Sequence, residues 1–167
     1  MASKPNPYAF PLEVSNYVSA PVPSVGEWEI LWKAWDLVTT QMIPADALME
    51  QPIPLRNPLK FYLGHIPTLQ VSVFSEDIHL SRATGKPLTE PAAYAKYFER
   101  GIGPDVDDLA QCHDHSELPT AWPELSEMLE YREKVKRRIK VQYDTGRAYS
   151  DRTIGRALWI GYKHEGK

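Results

Sequence analysis

Between residues 24 and 42, apolar positions recur every three or four residues. Trp28, Leu31, Trp32, Trp35, Val38 and Met42 form one stripe, while Glu29, Lys33, Asp36 and Thr40 fall opposite. Ser24 followed three residues later by Glu27 has the form of a capping box, and Pro44 closes the segment, so the pattern predicts a first helix. Residues 59–66 give a second helix, with Asn57 as cap, Pro58 at the first turn and a kink at Pro67. Residues 69–76 alternate apolar with polar and are rich in β-branched side chains, which in isolation predicts a strand. Helical character resumes over 77–84 and stops at Gly85.

A long connection follows over residues 86–119, with one short helix expected at 94–99. The third long helix is expected from about Trp122, capped by Thr120, to Tyr143, with Leu125, Met128, Leu129, Val135 and Ile139 facing inward. Its acidic residues (Glu124, Glu127, Glu130, Glu133) precede its basic run (Lys134, Lys136, Arg137, Arg138, Lys140), a distribution matched to the helix dipole and expected on solvated surface. A last helix starts near Ser150 and Asp151 and presents Ile154, Ala157, Leu158, Gly161 and His164 on one face. Four helices with a long connection between the second and third predict an all-α bundle over residues 24–167. Residues 1–23 carry five prolines and are expected to form an extended arm.

Composition narrows the function classes. The 167 residues suffice for one domain with its own core. The net charge of −3 argues against a nucleic-acid or membrane-surface binder. A lone cysteine, Cys112, excludes an internal disulfide framework and suits a reducing compartment, cytosol or nucleus. Fifteen prolines, against a usual share of about 5%, put much of the chain into connectors. Three tryptophans on the first helix would anchor the core or, less simply, wall a cation site.

Of the five histidines, His113 and His115 sit in the long connection and His79 on the flank of a helix. His65 and His164 lie on or beside the apolar stripes of separate helices, where bundles build metal sites. His164-Glu165 opens a helical His-Glu-x-x-His pattern, whose second histidine would fall at position 168, past the last residue of this sequence.

These segments carry a resemblance. WEILWKAWDLVTTQM (28–42), LRNPLKFYLGHIPT (55–68), DIHLSRATG (77–85) and RTIGRALWIGYKHE (152–165) resemble the N-terminal DinB-like domain of ergothioneine-biosynthesis sulfoxide synthases, as do residues 97–108 and 112–117. The resemblance implies a DinB-like four-helix bundle with a long crossover loop between helices 2 and 3. It implies a non-haem Fe(II) held by three histidines, of which His65 and His164 match two and the third is missing. It also implies O₂-dependent joining of a cysteine-type thiol to the imidazole of hercynine. Three neutral imidazoles would leave positions open for thiolate and O₂.

Two departures set the expected activity. The family's formylglycine-generating-enzyme-like domain is absent, so the bundle is expected to be C-terminally truncated and inactive alone. Residues 69–76 replace a shorter link, and six extra residues would turn the rest of a helix by about 600°. The insertion and the end of the chain are both expected at splice or gene-model boundaries. The alternatives are a non-catalytic metal-binding or interaction bundle, and a stand-alone DinB-like hydrolase or thiol transferase.

Overall fold

The computed structural model describes residues 22–51, 57–68, 76–98 and 121–166. Every regular element among them is helical, as the spacing of apolar residues predicts. In order these are α1 (Val25–Asp36), a π-helical turn (Leu37–Met42), a 3-10 turn (Ala45–Met49), α2 (Leu59–Thr68), α3 (Glu76–Thr84), α4 (Tyr94–Tyr97), α5 (Leu125–Asp144), α6 (Arg147–Ser150) and α7 (Arg152–Glu165). The expected strand lies outside the described residues except for Glu76, which opens α3. The expected arm also lies outside them, apart from Val22 and Pro23. No helix among the described residues is long and apolar enough to cross a membrane.

The capping box of α1 forms in both directions. Ser24 Oγ accepts from the Glu27 amide at 3.2 Å, and the Glu27 carboxylate accepts from the Ser24 amide at 2.8 Å. Beyond Asp36 the helix loosens, and the amide of Ile43 reaches the carbonyl of Val38 five residues back. This wider register takes the following side chains off the tryptophan stripe. Val38 and Met42, expected inward, are 46% and 65% exposed, and Thr39 is buried instead.

The other helix ends follow local chemistry. Asp151 caps α7 by accepting from the amides of Thr153 and Ile154. Gly85 ends α3 at φ +66°, as expected of a C-terminal cap. The N-cap of α5 is Glu124, whose amide donates to Glu127, and not the expected Thr120, which is outside the described residues.

The core draws on most of the helices. It contains Trp28 and Trp32 of α1, Phe61 and Leu63 of α2, Leu80 of α3, Tyr94 of α4 with the adjacent Phe98, Met128, Tyr131, Val135 and Ile139 of α5, and Ile154 and Leu158 of α7. Two members of the basic run of α5, Lys136 and Arg138, depart from the solvated surface expected of it, and Arg132, just before the run, is buried with them. Arg132 and Lys136 occupy the same inward stripe as Met128 and Val135 and are buried, and Arg138 is largely covered. Each faces a carboxylate from another helix, as burial of a cation demands. Arg132 meets Glu165 and Asp36, Lys136 meets Asp36, and Arg138 meets Asp77.

The tryptophans serve the core, the simpler of the two expectations. Cations do lie over them, but they are the chain's own. Lys136 and Lys140 each stand 5.7 Å from the ring centre of Trp32, and Arg132 stands 5.5 Å from that of Trp35.

Candidate metal centre

His65 sits in the middle of α2, 2% exposed, between aromatic neighbours. Its ring stacks on Phe61 with centroids 4.8 Å apart and meets Tyr62 edge-on. The ring of His164, from the last turn of α7, stands against it at 5.7 Å and 72°. The two histidines singled out on the apolar stripes therefore meet, although 99 positions (164 − 65) separate them in the chain.

Hydrogen bonding fixes the chemistry of His65. Its Nδ1 lies 2.8 Å from the carbonyl oxygen of Phe98. A carbonyl can only accept, so Nδ1 carries the proton and Nε2 presents a lone pair. That Nε2 is buried and has no hydrogen-bond partner among the described residues. Burial, the dominant cause, pushes the His65 pKa down to about 4, aided by His164 and opposed by the bond to Phe98, so the ring is neutral at physiological pH.

A metal-ligating histidine needs the same three things: a neutral ring, a donor bond from the non-ligating nitrogen to a carbonyl, and an unengaged second nitrogen. The 5.7 Å ring spacing is compatible with two imidazoles on one ion at metal–nitrogen distances of about 2 Å. The residues present thus fit two ligands of a metal site. No group of three His, Cys, Asp or Glu among the described residues forms a fuller one. His113 and His115 lie outside the described residues, as does the side chain of His79.

Glu165, next to His164, does something the sequence pattern does not reveal. Its side chain is buried, with one oxygen accepting from Arg132 Nη2 at 2.5 Å and the other from Trp32 Nε1 at 3.2 Å. Its backbone carbonyl accepts from Trp35 Nε1 at 3.0 Å. Two indoles of α1 and a guanidinium of α5 thereby hold the end of α7, and with it His164. The available sequence signal was Arg132 itself, a cation at the position of α5 one helical turn beyond Met128, which requires a buried carboxylate partner.

Asp77 plays a similar part at the start of α3. It accepts from the Thr89 amide and hydroxyl, from Tyr131 and from Arg138, and so ties α3 to α5 and to the segment after it.

The two best-formed features of the candidate centre thus come from distant parts of the chain. One is the histidine on α2, oriented by Phe98 at the end of α4. The other is the histidine on α7, held by the Glu165 anchor.

No protein-family model matches the chain, and no solved structure does. Two curated proteins do, both named ergothioneine biosynthesis protein 1. The one from Neurospora crassa is 46% identical over 157 residues, which is 94% of this chain and 17% of the relative. The one from Schizosaccharomyces pombe is 34% identical over 145 residues, 86% of this chain and 18% of the relative. The chain is therefore homologous to one portion of the fungal proteins named ergothioneine biosynthesis protein 1 and spans less than a fifth of their length.

Proposed function

We propose that this chain is the iron-binding, DinB-like four-helix part of an O₂-dependent sulfoxide synthase of ergothioneine biosynthesis, with His65 and His164 as two Fe(II) ligands. The substrates on this reading are hercynine and a cysteine-type thiol. The observation that carries it is the state of His65: buried, neutral, held through Nδ1 by the Phe98 carbonyl, and left with an unengaged Nε2 beside the ring of His164. The name of the two relatives supports the pathway.

Ferrous iron, when bound, would supply open positions for thiolate and O₂ and the activation of O₂, whose four electrons come overall from the thiol sulfur and the hercynine C–H bond. This chain's residues would do the rest of the local work. Phe61 stacks on the His65 ring and is itself packed by Phe98 and Trp122. Phe98 fixes its tautomer, and Glu165 holds the end of α7 in register. Two imidazoles alone bind Fe(II) weakly, so the chain by itself is expected not to turn over hercynine.

Anaerobic titration with Fe(II) tests the reading. One weakly bound ion per chain, lost in His65→Ala, is the expected result. No binding, or binding unchanged by His65→Ala, would overturn it.

A further inference from the structure

Thr68 ends α2, one helical turn beyond His65, and is 1% exposed. Its hydroxyl has no hydrogen-bond partner among the described residues. That is unusual within this chain. Three threonines in other helical segments return the hydroxyl to the carbonyl four residues back: Thr39 to Trp35, Thr40 to Asp36, Thr84 to Leu80. Thr145, at the end of α5, does the same to Val141. Thr68, whose corresponding acceptor would be Gly64, does not.

A buried hydroxyl without a partner costs about 1–3 kcal/mol, and folded proteins keep few of them. Residues three apart share a helix face, so Thr68 Oγ1 lies on the same side of α2 as another buried atom without a hydrogen-bond partner, His65 Nε2. One small polar species between them would satisfy both.

We propose that Thr68 is a positioning residue of the His65–His164 centre, its hydroxyl hydrogen-bonding the exogenous ligand, water or substrate thiolate, that shares the metal with His65. This rests on the metal reading above. It goes beyond that reading by assigning the non-protein ligand a protein partner. The hydroxyl can serve either ligand, as an acceptor from water or as a donor to a thiolate.

The test uses the full chain, Co(II) as the probe ion, and the variants Thr68→Val and Thr68→Ser. Metal-free Thr68→Val should melt at or above the temperature of the parent, because it removes an unpaired buried hydroxyl. It should bind Co(II) about tenfold more weakly, the low end of the loss seen when an outer-shell partner is removed, with a changed visible absorption band. Thr68→Ser should restore both affinity and spectrum. Co(II) affinity unchanged in Thr68→Val would overturn the role of Thr68 and leave the histidine pair standing. A metal-free Thr68→Val that loses stability would overturn it too, in favour of a structural hydroxyl. Co(II) binding absent from the parent, or indifferent to His65→Ala, would overturn the histidine pair and Thr68 together.

Discussion

The ring of Phe98 occupies the space that a side chain on Gly64 would need. A Cβ built on Gly64 would stand 2.3 Å from Cζ of Phe98, well inside contact distance. Phe98 is fully buried and packs against Phe61, Tyr94 and Trp122, so it cannot swing aside cheaply. The same residue presents its carbonyl to His65. Glycine at 64 therefore lets α4 approach α2 closely enough to orient the histidine.

Gly64→Ala should destabilise the fold by about 1–3 kcal/mol through overpacking, despite the better helix propensity of alanine. Urea denaturation measures that loss. Nitrogen NMR of the His65 ring should also show the Nδ1–H tautomer giving way to a mixture. Unchanged stability with an unchanged ring spectrum would mean that the contact is not tight.

The Arg132–Glu165 pair is buried on both sides, which makes it costly to break but not costly to replace. Glu165→Leu alone should cost about 3–5 kcal/mol by stranding the guanidinium. The double variant Arg132→Met with Glu165→Leu should recover most of that cost. A double-mutant cycle in denaturant reads the coupling. Additive losses would show that the two residues act separately.

Acid should weaken the metal-free protein through His65. Its pKa is about 4 when folded, against an ordinary value of 6.5, so the unfolded chain binds the extra proton first. Stability should therefore be complete above about pH 6.5 and fall as the pH drops toward 4, by about 3 kcal/mol for this group. His65→Gln should flatten that part of the profile. A parent profile already flat between pH 6.5 and 4 would contradict the buried neutral ring.

How far the sequence revealed these features depends on how local their causes are. The cap of α1 rests on Ser24 and Glu27, three residues apart, and reads directly. The stripe through Trp28 and Trp32 reads equally well, yet it breaks at Asp36, because the π turn has no clear sequence mark and turns Val38 and Met42 outward. The faces of His65 and His164 follow from helical spacing. The partner that selects the His65 tautomer does not, since Phe98 caps the end of a four-residue helix and lies 33 positions away. Lys136 and Arg138 resemble solvated surface until Asp36 and Asp77 arrive from distant segments to pair with them, as Glu165 does with Arg132.

The most direct measurement follows the histidine ring protons by NMR while one equivalent of Co(II) is added to the intact chain. If His65 and His164 face one ion, their ring signals should undergo paramagnetic shifts together, following one common binding curve as more Co(II) is added, and both responses should vanish in His65→Ala. Shifts confined to His113 and His115, or a response from His164 that survives His65→Ala, would contradict a shared site.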